Sequence, residues 1–438
     1  MHNKILIISN EPLSESSANG RTMRNLLLNI PSENLAQFYL HGIPDREACG
    51  SFYCVSDRDA LHAFLGKKEK RKSVRQEVTA PQARAVSSEE IRKAVPHTGA
   101  VNPQKTANIS HPVRSYRNLV LRNVVWQSMR WWTKDFSRFL EGFAPDIVLL
   151  QAGDAPFMYN IARRIAKEYR AKLLMFNTEH YVLKKIMYAY SGENLFWHNI
   201  LMGSLKRQYQ KFMNAADYCI YNTEALEEAY QNRYPHPGKS SVLYTTSTLE
   251  RLPDKSGTPF SLLYCGNLGA GRVTPIQEIA ETLFETDPAA KLDIYGKFPG
   301  KLAQDVVCSL PNVCYHGFVD YAELLPSMSE ATLLIHCEHG ERLENLKYAF
   351  STKIADSLAS GRPFLVYASK EYPFVRYLLK NRSAHVAQSK QELKTILEKC
   401  RNDKAYLYQY TDSARLTAEQ NHNRDVNCRK LEEILGRL

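Results

Sequence analysis

Two successive series of short apolar runs, each alternating with longer helix-like segments, constrain this chain more than any other feature. Runs of four to six apolar residues match buried strands, and intervening segments with a helical period match crossover helices. That alternation specifies parallel sheets covered by helices. The first series predicts strands at Lys4–Ser9, Ala36–His41, Asp146–Gln151, Lys172–Asn177, Tyr218–Tyr221 and Ser241–Thr245. Its helices are predicted at Asn19–Ile30, Ala155–Arg170, Phe196–Asn214 and Glu224–Asn232.

The turn-rich interval Thr248–Pro259 separates the two series and reads as a linker. The second series predicts strands at Ser261–Cys265, Lys291–Tyr295, Asn312–Tyr315, Thr332–His336 and Pro363–Tyr367. Helices are expected at Thr274–Phe284, Tyr321–Met328, Ser351–Ala359 and Gln391–Lys399, and a helical segment at Tyr406–Leu435 returns toward the first domain. The expected domains are therefore 1–247, then the linker 248–259, then 260–405, then the helical segment 406–438. A chain of 438 residues exceeds one hydrophobic core, which agrees with two domains. Ligands of such folds bind at the carboxyl ends of the strands.

The charge of +11 is local. Between Gly66 and Arg138 stand sixteen Lys and Arg against five Asp and Glu, so the remainder is neutral. Residues 66–113 combine this charge with few large apolar residues, the composition of a mobile insertion. From Arg114 onward, Leu121, Val125, Met129, Trp132, Phe136, Phe139 and Phe143 recur at helical spacing and predict one amphipathic helix. No stretch reaches the ~18 apolar residues of a membrane span. Nine cysteines without Cys-x-x-Cys argue against a disulfide framework or a cysteine-rich zinc site. The expected setting is the cytoplasm.

Glycine turns follow the strands where a ligand could approach the backbone. Ala18-Asn19-Gly20-Arg21 enters the first helix, with Asn19 as the alternative N-cap. Gly266-Asn267-Leu268-Gly269-Ala270-Gly271-Arg272 follows a second-domain strand, and Arg272 could neutralise a diphosphate. Lys297 follows the next strand, so the two cations could share an anion. Ser351-Thr352-Lys353 opens a helix whose amides form an anion site, with Asp356 one turn further in to accept ribose hydroxyls. Asp57-Arg58-Asp59 has the Asp-x-Asp form but precedes the basic insertion, so no metal is expected.

The stretch Ser351-Thr352-Lys353-Ile354-Ala355-Asp356-Ser357-Leu358-Ala359-Ser360-Gly361-Arg362-Pro363 resembles the signature of bacterial GT-B glycosyltransferases of the group 1, family 4-like type. Ala144-Pro145-Asp146-Ile147-Val148 and Ala216-Asp217-Tyr218 are similar to its first-domain strands. The resemblance implies two Rossmann-like parallel-sheet domains facing across a cleft, with the nucleotide-sugar donor held by the second. Gly20, Gly266, Asn267, Arg272, Lys297, Ser351, Thr352, Lys353 and Asp356 become donor-binding candidates. Members often carry a glutamate eight positions before the ribose-binding carboxylate; Tyr348 stands there in this chain. Glu338 is the substitute candidate for contacting the sugar, against a solvated acidic loop spanning His336–Glu341. In the first domain Asn177 takes the place of the family's histidine, and Glu179, His180 and Asp154 are catalytic candidates. For His180 a structural role, and for Asp154 a helix N-cap, remain open.

The resemblance implies retaining transfer of a sugar from a nucleotide-diphosphate donor to a glycan or lipid-linked acceptor in bacterial surface polysaccharide synthesis, and cations with helix amides stabilising the departing diphosphate make it metal-independent. No cofactor is expected beyond the donor as co-substrate. The basic segment fits an anionic membrane surface at the cell's inner face, and no nucleic-acid motif is found. A nucleotide-sugar 2-epimerase on the same fold, or a non-catalytic assembly partner, are the alternatives.

Overall fold

The computed structural model describes residues 3–14, 18–66, 115–184, 195–236, 238–269, 271–338, 340 and 343–438. Beyond Gly66, the basic insertion lies outside the described residues, as do His339 and Glu341 of the acidic loop.

Two fully parallel sheets form the chain. The first has seven strands: β1 (Ile5–Ile8), β2 (Leu35–Tyr39), β3 (Ser51–Cys54), β4 (Ile147–Gln151), β5 (Lys172–Asn177), β6 (Tyr218–Tyr221) and β7 (Lys239–Val242), ordered β3-β2-β1-β4-β5-β6-β7. The second has six: β8 (Ser261–Cys265), β9 (Lys291–Tyr295), β10 (Val313–Gly317), β11 (Leu333–Cys337), β12 (Phe364–Tyr367) and β13 (His385–Ala387), ordered β10-β9-β8-β11-β12-β13. Strand order reverses between β1 and β4 and between β8 and β11, opening a crevice at each carboxyl edge. Every residue of β1, β2, β4, β6 and β11 is buried, as expected of strands covered on both faces.

The principal helices are α1 (Ala18–Leu27), α2 (Asp57–Phe64), α3 (Tyr116–Gln127), α4 (Lys134–Phe143), α5 (Pro156–Tyr169), α6 (Leu195–Met213) and α7 (Glu224–Arg233) in the first domain. The second contributes α8 (Val273–Thr286), α9 (Lys301–Cys308), α10 (Tyr321–Glu330), α11 (Thr352–Ala359), α12 (Pro373–Lys380) and α13 (Lys390–Asn402), and α14 (Arg424–Gly436) ends the chain. Leu431, Ile434 and Leu435 of α14 join the core beneath α1, so the terminal helix does cross back to the first domain.

Several local expectations are corrected. The single amphipathic helix is two, α3 and α4, broken where Met129 takes a left-handed backbone (φ 57°). The break turns Trp131 into the core, 5.5 Å from Phe38 and 5.1 Å from Trp126, while Thr133 caps α4. Leu121, placed on the stripe, is 49% exposed. Short β3 and β13 were not expected, and the strand predicted at Ser241–Thr245 lies earlier, at Lys239–Val242. The 406–435 segment is not continuous: a π-helical turn at Ala418–His422 precedes α14. Asp57 and Asp59 are absorbed by structure. Asp59 closes a capping box with Ser56, and Asp57 accepts from Arg122 Nε (2.7 Å) and Trp126 Nε1 (2.8 Å).

The chain passes between domains twice, side by side. Ser247 N donates to His422 O (2.8 Å), and His422 Nδ1 donates to Thr245 O (2.7 Å). His422 is fully buried, which pushes its pKa down to about 4 and keeps it neutral at this crossing. The linker is bound to the second domain: Arg362, 1% exposed, pairs with Asp254 and donates to Ala331 O (2.6 Å).

Candidate functional site

The carboxyl edge of the second sheet is built from glycines. Gly266 N donates to Tyr295 O (2.6 Å) and Gly296 N to Gly317 O (2.7 Å), stitching the ends of β8, β9 and β10. A Cβ on Gly296 (φ 153°) would lie 1.8 Å from Gly266 O, so only glycine permits this approach. A Cβ on Gly266 (φ 150°) would lie 1.8 Å from Lys353 Nζ, which places the Lys353 ammonium directly over that backbone.

Arg272 comes to the same edge from the start of α8. Its guanidinium donates to Asn267 O (3.2 Å) and by Nε (3.0 Å) and a second nitrogen (2.5 Å) to Glu338 Oε1. Asn267 Oδ1 accepts from Gly269 N (2.8 Å), which fixes the turn. Glu338, directly after β11, is 8% exposed, and its Oε2 is buried with no partner among the described residues. His336 Nε2 stands 3.3 Å from Glu338 Oε1. Burial alone would raise the Glu338 pKa; the contacts with His336 and Arg272 outweigh it and hold the carboxyl below its ordinary value. Burial pushes His336 down, so it is neutral.

Lys353 is pushed down to about 8, first by burial and then by the Arg272 charge. Its Nζ lies 5.5 Å from the Tyr264 ring centroid and makes no hydrogen bond among the described residues. Two half-buried cations and one buried carboxylate thus share a glycine-lined edge with a net positive charge. Ser351 caps α11 and accepts from Lys353 N (3.4 Å), so that amide is already engaged. Thr352 begins the helix. Asp356, one turn on, accepts from Ser247 Oγ (2.6 Å), and its burial raises its pKa although Ser247 and Arg21 oppose the shift. Lys297 is exposed; its backbone carbonyl holds Leu268 N (2.9 Å) and its ammonium sits 4.5 Å over the Phe318 ring.

Across from this edge, β4 and β5 end in the first-domain candidates. His180 is 2% exposed. Its Nε2 donates to Glu344 O (3.0 Å), its ring meets Tyr348 edge-on at 5.3 Å, and its Nδ1 is buried without a partner. Burial pushes its pKa down. Glu179 pairs with the buried Lys184, and Tyr230 donates to Glu179 O (3.1 Å). Burial, then Glu179 and Asp154, raise the Tyr181 pKa, so both carboxylates act on one phenol. Asp154 is not the N-cap of α5; Ala155 is, with Pro156 at the first helical position. Asn177 is fully buried and accepts from Tyr209 (3.3 Å).

No protein-family model and no curated protein sequence matches the chain. Solved structures do. Sucrose-phosphate synthase from Thermosynechococcus elongatus superposes with TM-score 0.60 at 10% identity, over 99% of this chain and 98% of that one. HepE from Anabaena, in complex with UDP, gives TM-score 0.60 at 12% identity over 99% and 100%. WaaG, a glycosyltransferase involved in lipopolysaccharide biosynthesis, gives 0.55 at 13% over 98% and 99%.

The fold is GT-B. In this GT-B frame the structure groups Gly266, Asn267, Arg272, Lys353 and Glu338 at one edge, with Asp356 behind them. Gly20 is separate: it lies inside α1, which begins at Ala18, so Asn19 is not the cap. Two contributors were missed. Arg21 lies 5.4 Å from the Tyr321 ring and acts on Asp356 across the domains, and Ser247 holds Asp356 from the linker side. An arginine after a glycine at a strand–helix turn was the available signal for Arg21. Ser247 carried none, because its role depends on how the chain crosses between domains.

Proposed function

We propose that this chain transfers a sugar from a nucleotide-diphosphate donor to a hydroxyl of a glycan or lipid-linked acceptor. The observation that carries the reading is the pair of half-buried cations, Arg272 and Lys353, at one glycine-lined edge, with Lys353 over the Gly266 backbone and Asp356 one helical turn away. Fixed charges in a water-poor edge stabilise a departing diphosphate, which is the charge that develops as the sugar–oxygen bond breaks. Asp356 accepts the ribose hydroxyls. Asn267 and the Ser351–Thr352 turn complete the donor site, without Gly20 and Lys297, and Glu338 reaches the sugar once a diphosphate has taken its place on Arg272. His180, neutral and with Nδ1 open, orients the acceptor hydroxyl, with Glu179 and Asp154 beside it. We take transfer to be retaining and metal-independent, in the assembly of a bacterial surface polysaccharide by a peripheral membrane protein.

Calorimetry with a panel of nucleotide sugars, on wild type and on Arg272→Ala and Lys353→Ala, tests the site. Affinity unchanged in both variants would falsify it. Tyr348 favours a second reading, a binding partner that keeps the fold without the chemistry, because it fills the position of the family's first glutamate. Nucleotide release that depends on an acceptor excludes that reading and the epimerase alike.

A further inference from the structure

Of the fifteen large apolar side chains exposed among the described residues, seven lie on three helices of the first domain: Leu61 and Leu65 at α2, Leu121 and Val124 on α3, and Leu195, Phe196 and Ile200 on α6. The helices pack side by side. Arg122 of α3 pairs with Asp57 of α2, and Asn123 of α3 donates to Ser204 of α6 (3.2 Å). The Tyr116 and His198 rings, 5.0 Å apart, join α3 and α6 one to two turns earlier, so these two run parallel. Leu121 and Val124 are three apart, and Phe196 and Ile200 four apart, so each pair faces outward as one row. Seven exposed apolar side chains gathered on three adjoining helices mark an interaction surface better than scattered surface leucines do.

Its occupant is indicated by charge. Helices α3 and α6 contain Arg117, Arg122, Lys206, Arg207 and Lys211, and no acidic residue. The two acids of α2 that adjoin them are consumed by Arg122 and by the Ser56 cap. In sequence, residues 67–114 between α2 and α3 carry eleven Lys and Arg against four Asp and Glu. Apolar rows set among cations match an acyl boundary beneath anionic headgroups. Placement agrees: α2 follows the carboxyl end of β3, and α6 begins beyond the carboxyl end of β5, at the edge that carries Glu179 and His180.

We propose that the outer face of α2, α3 and α6 docks on an anionic lipid bilayer. The surface gives the membrane association above its residues and sets the acceptor side of the cleft at the bilayer, which rests on the transferase reading for the acceptor alone. The test is flotation of the full chain with phosphatidylcholine vesicles, with and without phosphatidylglycerol. Wild type floats with the anionic vesicles. Leu121→Ser combined with Phe196→Ser lowers the bound fraction's partition coefficient by about tenfold or more, since each side chain loses most of its burial. Leu302→Ser, at a 79% exposed site of the second domain, leaves it unchanged. Undiminished binding by the double variant overturns the proposal. So does a wild-type dimer that the double variant dissolves while vesicle binding persists, since a second copy then occupies the face. The thermal shift with UDP is read in parallel; a chain that floats yet responds to no nucleotide sugar fails as a transferase and keeps this surface.

Discussion

Replacing Glu338 by glutamine separates the cost of an internal ion pair from the use of its cation. Glu338 occupies the Arg272 fork through Oε1 at 2.5 and 3.0 Å, with both side chains largely buried. Removing one partner of a buried pair costs roughly 3–5 kcal/mol, because the other charge is left uncompensated. Glutamine retains one acceptor, so about 2–4 kcal/mol is expected here. At a few degrees per kcal/mol for a domain of this size, the apparent Tm falls on the order of 10 °C. Ligand binding moves the other way. A diphosphate entering the wild-type site must displace the carboxylate, whereas in Glu338→Gln it meets Arg272 and Lys353 with no competing anion. Pyrophosphate and UDP therefore bind the variant about ten- to a hundredfold more tightly, recovering ~1.4–3 kcal/mol of the loss. Differential scanning fluorimetry with and without each ligand, paired with calorimetry, reads both effects. A variant as stable as wild type, or one that binds pyrophosphate no better, refutes the competition argument.

Donor affinity should weaken as pH rises through about 8, because Lys353 then loses the ammonium that attracts the diphosphate; the depressed value means its charge is absent above that pH and present below it. The KM-against-pH profile checks this, and the step should vanish in Lys353→Gln. Gly266→Ala forces the Lys353 ammonium away, so donor KM should rise at least tenfold with kcat less affected, measured by steady-state kinetics. Ser247→Ala removes the hydroxyl that donates to Asp356 at 2.6 Å and should weaken nucleoside-containing ligands, while pyrophosphate affinity stays put in the same calorimetric series. Trp131→Ala opens the seam between α3 and α4 and should cost about 3–5 kcal/mol in urea unfolding without altering donor binding.

Strand–helix alternation exposed both sheets because strands buried on both faces keep their apolar character whatever surrounds them. Where it failed, tertiary packing overrode the local period. The stripe from Leu121 to Phe143 has helical spacing throughout, yet burying Trp131 against Phe38 and Trp126 is favoured over continuing the helix, and the chain breaks at Met129. Ser51–Cys54 and His385–Ala387 are edge strands, buried less evenly than the central ones, so their apolar signal is faint.

The site divides along the same line. Gly266, Arg272, Lys353 and Asp356 were legible because each stands at a fixed offset from a strand end or helix start, which sequence spacing encodes. What spacing cannot encode is which of them neutralise one another. Read alone, Arg272 and Lys297 looked like two cations awaiting one anion; in the fold Lys297 turns onto Phe318 and Arg272 is already held by Glu338, sixty-six positions away. Lys353 takes the place expected of Lys297, because the close Gly266–Gly296 approach leaves room above the backbone for a side chain arriving from α11. The same long-range closure sets Tyr348 against His180. Under the proposed transfer this ring brings no negative charge, and Glu338, held by Arg272, is the candidate carboxylate to meet the sugar. Its release from Arg272 on diphosphate binding would then couple donor entry to assembly of the pocket.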